Sequence, residues 1–144
     1  MVKVIQDLWI LTEAGIVVFN RVYDPRVSAQ MFGALMTALD SFAKGIGVGE
    51  SGLNSFDVSD IRFTIVKSKS FLFVANSSKK IKNKRVIDAL EEISQLFFTK
   101  YSKILADFEN WNMEITVFKD FEKDIEYALE EPLKKFWHEF NQVK

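Results

Sequence analysis

The sequence predicts an α+β domain in which a five-stranded, mainly antiparallel sheet is flanked by helices on both faces. An apolar hairpin lies at residues 8–24, and three longer segments carry apolar residues every three or four positions, as amphipathic helices do. Three short strand-like segments lie between the first and second of these helices, so the predicted order is β-β-α-β-β-β-α-α. Helices on both faces of one sheet are the simplest three-layer packing for this order.

The opening hairpin reads LWILTEAGIVVFNRVYD, with a turn at residues 12–15 between its two strands. Its near-continuous apolar runs are typical of strands that are covered on both faces, so we expect the pair to form the centre of the sheet. Ser28 is a candidate N-cap for the first helix, which is predicted at residues 29–44. The glycine-rich residues 45–52 end that helix.

Residues 53–59, 61–68 and 70–77 are predicted to form three strands joined by two short turns. The first is half polar and alternates, as a strand at the edge of a sheet does, so we expect it at an edge.

Apolar residues then recur by three or four from Val86 to Phe108, which predicts one long helix. A last helix is predicted to begin near Asp120, and Pro132 should kink or restart it. We expect a single domain over residues 1–144, with a core at about 4–130 and a C-terminal amphipathic helical extension at 131–144.

Composition excludes several classes of protein. Of the 144 residues, 48% are hydrophobic and 14% aromatic, which suffices for a substantial core. The formal net charge of −1 argues against a general nucleic-acid binder, which needs a basic excess. No cysteine is present, so disulfides, thiolate metal sites and a cysteine nucleophile are excluded. With no apolar run long enough to span a bilayer, we expect a cytoplasmic protein, able at most to attach peripherally to membranes.

No motif indicates catalysis. GVGESG at residues 47–52 matches the dinucleotide-binding pattern, but it follows a helix and precedes a strand, the reverse of the order that binds phosphate. His138 is the only histidine and has no neighbour to complete a metal site. Glu91 and Glu92 are adjacent on a helix and point in different directions. We therefore predict no catalytic residue, no metal site and no cofactor.

Two segments are candidate contact sites. A basic cluster could bind anionic lipid headgroups, although a solvated connector between a strand and a helix is the simpler explanation. An apolar stripe near the C-terminus is either part of the core or, if exposed, an interface. The cluster comprises Lys79, Lys80, Lys82, Lys84 and Arg85, and the stripe comprises Leu133, Phe136, Trp137 and Phe140.

From about Val4 to Leu129 the chain resembles longin domains of the longin/roadblock superfamily. The resemblance is carried by the opening hairpin, with Gly15 at its turn and Phe19 near its end, and by the helix SAQMFGALMTALDSFAKGIG. Further along, it is carried by FTIVKSKSFLFVANSS, ALEEISQLFFTKYSKIL and WNMEITVFKDFEKDIEYAL. These are signatures of a fold, which the superfamily shares in outline with profilin-like domains.

The resemblance implies a non-enzymatic interaction module of membrane trafficking. No coiled-coil heptads follow the domain, so we do not expect a SNARE protein by itself. In many longin domains, the surface made by the first helix and the third strand binds a peptide or a second longin domain. In this sequence that surface comprises Phe32, Leu35, Met36, Leu39, Leu53, Phe56 and Val58.

The partners implied by the resemblance are a small GTPase, another longin/roadblock subunit, or a second copy of the chain in a homodimer. Two alternatives stay open. A profilin-like or PAS-like small-ligand sensor would need an internal pocket of several hundred Å³. A peripheral membrane adaptor would use the basic cluster and the C-terminal stripe.

Overall fold

The computed structural model describes residues 4–22, 28–46, 54–112 and 114–129. One sheet holds five strands in the order β2-β1-β5-β4-β3, and each neighbouring pair is antiparallel. The five-stranded sheet and the predicted edge position of the third strand are confirmed. The strands are β1 (Asp7–Thr12), β2 (Val17–Arg21), β3 (Ser55–Val58), β4 (Ile61–Ser68) and β5 (Phe71–Ser78).

The predicted central position of the opening hairpin is wrong. β5 lies at the centre of the sheet, β1 is next to it, and β2 is at an edge. β2 is nevertheless apolar on both faces because both faces are covered. Val17 packs under the first helix, and the ring of Phe19 meets the ring of Phe121 edge-on at 5.5 Å on the other face. Burial on both faces therefore gave β2 the sequence pattern of a central strand.

Helix α1 (Ala29–Gly45) covers one face of the sheet. Its N-cap is Ser28, as predicted, and the Ser28 hydroxyl accepts a hydrogen bond from the Met31 backbone N–H at 3.1 Å. Phe32 and Met36 point from α1 into the core, where Phe32 stacks on Trp9 with 4.0 Å between ring centroids. The core on this face comprises Trp9, Leu11, Val17, Phe32, Met36, Ile65, Leu72 and Val74.

Helix α2 (Asn83–Lys100) covers the opposite face, with Phe97 fully buried. The predicted continuation of this helix to Phe108 is wrong, because the helix ends at Lys100, with Tyr101 as its C-cap, and is followed by the short helix α3 (Ser102–Ala106). This break turns the chain back toward the sheet. Phe108 can then meet Phe71 at 5.4 Å between ring centroids, which a straight helix would not allow.

The last predicted helix is also shorter than expected. Helix α4 (Phe121–Ile125) gives way to a 3-10 turn, and Leu129 then pairs with Ile5 in a parallel bridge. The carbonyl oxygen of Ala128 accepts hydrogen bonds from two backbone N–H groups at the start of the chain, so the backbone must leave the helical path there. Pro132 and the predicted extension at 131–144 lie outside the described residues.

Two glycines allow α1 to approach the β1–β2 turn closely. Gly15 has a positive φ of 91°, which favours glycine. A Cβ atom built on Gly33 would lie only 2.0 Å from the carbonyl oxygen of Gly15. The overlap would be between a Cβ atom and a backbone oxygen. Neither atom moves when a side chain rotates, so no rotation could relieve it. This contact sets the distance between α1 and the sheet.

We expect Gly33→Ala to lower the free energy of unfolding by about 1–3 kcal/mol, since α1 must move away from the turn. Gly45→Ala is the matched control on the same helix, because a Cβ at Gly45 meets nothing within 4 Å. It should change stability by less than about 1 kcal/mol, in the stabilising direction. Urea denaturation of both variants measures this; equal effects of the two would contradict the contact.

Candidate interaction surface on α1 and β3

Helix α1 carries an outward apolar stripe beside the inward side that packs on the sheet. Met31 and Phe42 are 67% and 66% exposed, and Leu35 and Ile46 are 51% and 56% exposed. These four residues recur at intervals of four and seven, so they form one stripe along the helix. A contiguous apolar patch that stays exposed on a folded domain is typical of an interaction site. The outward stripe is therefore a candidate interface.

The stripe continues across the sheet to the edge strand β3. Leu39 lies between the inward side of α1 and the outward stripe, seven residues after Phe32, and is half-buried. Phe32 lies 6.2 Å from Phe63 between ring centroids, and Phe63 stacks on Phe56 of β3 at 4.8 Å. Phe56 and Phe63 are only half-buried. One apolar surface thus extends from the outward side of α1 to β3.

The outer side of β3 offers hydrogen-bonding groups to a further strand. Val58 pairs with Ile61 across a two-residue turn, and the carbonyl of Asn54 accepts from Ile65 at 2.9 Å. Because pairing alternates along an antiparallel strand, the backbone groups of Ser55 and Asp57 point away from β4. Within the described ranges, no strand pairs with that side. An exposed edge of this kind is a template for pairing with another chain.

The structure divides the predicted interface residues into three groups. Phe32 and Met36 are core residues, so a partner cannot reach them, and their assignment to the contact surface is corrected because the inward side of α1 packs on the sheet. Leu35 and Val58 are exposed, while Leu39 and Phe56 are half-buried. Leu53 lies outside the described residues. Met31, Phe42 and Ile46 were not predicted as interface residues, although the successive spacings of four, seven and four residues from Met31 through Leu35 and Phe42 to Ile46 are visible in the sequence.

The basic cluster lies at the opposite end of the sheet from the β1–β2 turn, where β5 leads into α2. All of its residues are exposed, and the predicted connector is in part helical because Lys84 and Arg85 belong to the first turn of α2. Lys79 pairs with Asp57 at 3.5 Å and Lys84 with Asp88 at 2.9 Å. Nearby carboxylates thus offset part of the positive charge of the basic cluster. Contact between this cluster and anionic surfaces stays a prediction.

Several predicted features lie outside the described residues. They are the glycine-rich segment 47–52, His138 and the C-terminal stripe of Leu133, Phe136, Trp137 and Phe140. In the part of the chain that the structure describes, no group of three or more His, Cys, Asp or Glu side chains is placed to hold a metal ion. No helix of that part is long and apolar enough to cross a membrane.

Among the described residues, each resolved shift raises a pKa that already lies well above neutral pH. The hydrogen bond that the Lys84 ammonium donates to Asp88 raises the pKa of Lys84, and the hydrogen bond that Lys100 donates to Asp124 raises the pKa of Lys100. Burial raises the pKa of Tyr101, and burial, followed by the nearby Glu92 carboxylate, raises the pKa of Tyr127 to about 12. At neutral pH these groups therefore keep their ordinary charge states.

A cleft of about 920 Å³ lies between α2 and the β4–β5 turn, lined in part by Ser68, Ser94 and Phe98. The Lys69 ammonium lies over the Phe98 ring, 5.0 Å from its centroid. The cleft opens widely to solvent. A small-ligand sensor is expected to enclose its ligand, and this cleft does not meet that expectation.

The sheet order, with helices on both faces, defines a longin/roadblock-type fold, which confirms the predicted fold class. A Roadblock/LC7 domain from Streptomyces avermitilis is similar in structure, with a TM-score of 0.52 and 16% sequence identity, covering 72% of this chain and 87% of that domain. At such low identity the likeness concerns the fold alone.

Two further solved structures match with lower TM-scores. Myxococcus xanthus MglB has a TM-score of 0.49 and 13% identity, covering 66% of this chain and 85% of its own. A structure described as MglB with tetrameric arrangement has a TM-score of 0.42 and 13% identity, covering 57% of this chain and 66% of its own. No protein-family model and no curated protein matches the sequence.

We expect the raised pKa of Tyr127 to make the fold less stable in alkali. An unfolded tyrosine loses its proton near pH 10, whereas Tyr127 in the fold keeps its proton until about pH 12. Between these values the unfolded chain binds fewer protons, so stability falls as pH rises, by on the order of 1 kcal/mol by about pH 11. Tyr127→Phe should lose less stability than the wild type between about pH 9 and about pH 11 in urea denaturation. Equal losses of stability in the wild type and in Tyr127→Phe would contradict the raised pKa of Tyr127.

Proposed function

We propose that this protein is a non-enzymatic interaction module that self-associates through the α1–β3 surface and acts as a scaffold or regulatory subunit for small GTPases. The observation that carries the proposal is the outward apolar stripe of α1. Met31, Leu35, Phe42 and Ile46 are each more than half exposed, although the same helix already buries Phe32 and Met36 against the sheet. Covering the stripe removes apolar surface from water, which is the main driving force for association.

A second copy of the chain suits this surface because the edge strand is self-complementary. When two β3 strands pair antiparallel about Phe56, Ser55 of each copy faces Asp57 of the other. The outward backbone groups of these two residues then bond to each other, and the two Asp57 carboxylates are kept apart. The two α1 stripes come to lie side by side above the joined strands. A net charge of only −1 adds little repulsion between copies.

The proposed wider role follows from the family resemblance. The resemblance implies that such a module acts with a small GTPase or with a second longin/roadblock subunit. The longin/roadblock-type fold supports this class of role. A homodimer would present two copies of every remaining surface, as a scaffold requires. Membrane trafficking and signalling are the processes in which we expect such a module.

We expect Leu35→Asp to weaken self-association while the subunit stays folded. Burying an unpaired carboxylate in the interface should raise the dimer dissociation constant at least about tenfold, or about 1.4 kcal/mol. Light scattering over a concentration series measures the mass, and thermal melting checks the fold. Leu96→Asp is the matched control, because Leu96 is also partly exposed, at 37%, but lies on α2. Equal dissociation in both variants, or a wild type that is monomeric throughout, would contradict the proposed interface.

We also expect saturable binding to a small GTPase of the source organism. Calorimetric titration against candidate GTPases, each loaded with GDP or with a non-hydrolysable GTP analogue, measures it. A regulatory subunit should prefer one nucleotide state, because it can act on the GTPase only through a difference in affinity between the two states. Equal or absent binding across the set would contradict the regulatory role and leave the self-association result unchanged.

A further inference from the structure

The outer side of β2, the other edge of the sheet, is occupied by a side chain. The backbone N–H of Val17 donates to Oε1 of Gln30 at 3.1 Å, and Nε2 of Gln30 donates to the carbonyl oxygen of Val17 at 3.1 Å. A side-chain amide carries the same donor and acceptor as a peptide group. Gln30 therefore makes the pair of hydrogen bonds that a residue of a neighbouring strand would make with Val17.

The same edge is interrupted by a change of register. Ile10 pairs with Phe19, whereas Leu11 pairs with Val17, so β2 holds one extra residue at this point. An irregularity of this kind bends a strand and disrupts its row of outward backbone groups. Bulges and covering elements are two of the means by which proteins prevent edge-to-edge pairing. β2 has both at Val17, and β3 shows neither within the described residues.

The position of Gln30 is fixed by the helix that carries it. Ser28 caps the start of α1 two residues earlier, and the contact between Gly33 and Gly15 fixes how close α1 lies to the β1–β2 turn. The amide is thus held beside Val17 by the same packing that places α1 on the sheet. Its two bonds do not depend on a partner molecule.

We infer that Gln30 closes the β2 edge and so restricts strand pairing between copies to β3. If both edges were open, each added copy would expose another open edge, and assembly could continue into an extended row. With β2 closed, a pair joined through β3 has no open edge left. The limit of two copies rests on the proposed function, whereas the closure of the β2 edge does not.

The test is Gln30→Met in the full chain. Methionine matches the length of glutamine and favours helix as strongly, but it makes neither bond with Val17. We expect its light-scattering mass to exceed that of the wild type at least about twofold and to rise with concentration, because both edges are open. Gln95→Met on α2, also an exposed position, is the matched control and should keep the wild-type mass.

Combining Gln30→Met with Ser55→Pro separates edge pairing from unspecific aggregation. Proline at position 55 removes an outward N–H of β3, so the double variant has only the β2 edge to pair and should stop at two copies. Growth that persists in the double variant would overturn the inference. So would a folded Gln30→Met protein with the wild-type mass.

A separate measurement keeps this inference distinct from the proposed dimer. In dilute solution, hydrogen exchange at the Val17 amide should be faster in Gln30→Met than in the wild type, whatever the oligomeric state; an unchanged rate would overturn the role of Gln30. A monomeric wild type would contradict the proposed dimer alone. In that case Gln30→Met should still gain one copy through β2, and failure to do so would overturn the closure of that edge.

Discussion

The close contact between α1 and the β1–β2 turn is the constraint on which the rest of this face of the molecule depends. Only two glycines can bring their backbones as close together as Gly15 and Gly33 do, because a Cβ atom on Gly33 would overlap the carbonyl oxygen of Gly15. At this distance Phe32 reaches Trp9 to stack on it, and Gln30 reaches the edge of β2. The outward side of α1 is fixed by the same geometry. One glycine pair thus determines the core on this face, the state of one sheet edge and the orientation of the apolar stripe.

The two faces of the sheet differ in what they leave exposed. On the α2 face the ring of Phe97 is surrounded by other aromatic rings, including Phe73, Tyr101 and Phe121, each with a centroid within 6 Å. The helices and turns after α2 close over this core. On the α1 face, α1 is the one helix among the described residues that covers the sheet, and the rings of Phe56 and Phe63 stay half-buried beside it. The larger buried core therefore lies on the α2 face, and the surface suited to a partner lies on the α1 face.

The two edges of the sheet differ in the same sense. At β2, the amide of Gln30 and an extra residue in the strand obstruct pairing. At β3, the backbone groups of Ser55 and Asp57 face outward in a row next to the exposed apolar stripe. An open edge beside an apolar surface favours association, and a closed edge opposite to it limits how far association can proceed. This asymmetry belongs to the chain's own packing and needs no partner to maintain it.

Local sequence patterns were sufficient for the class of fold, the helix start at Ser28, the edge position of β3 and most element boundaries, because periodicity and capping act over a few residues. Tertiary packing decided what those patterns cannot encode. The sequence of β2 is typical of a central strand, because burial on two faces gives the same pattern wherever the strand lies in the sheet. The apolar pattern through Phe108 continues past the end of α2 at Lys100, because buried residues keep a similar spacing after the chain turns. Likewise, the apolar residues of α1 form one wide arc, and its sequence alone does not distinguish the part that packs on the sheet from the part that stays exposed. The contact with Gly15 decides which part faces the sheet.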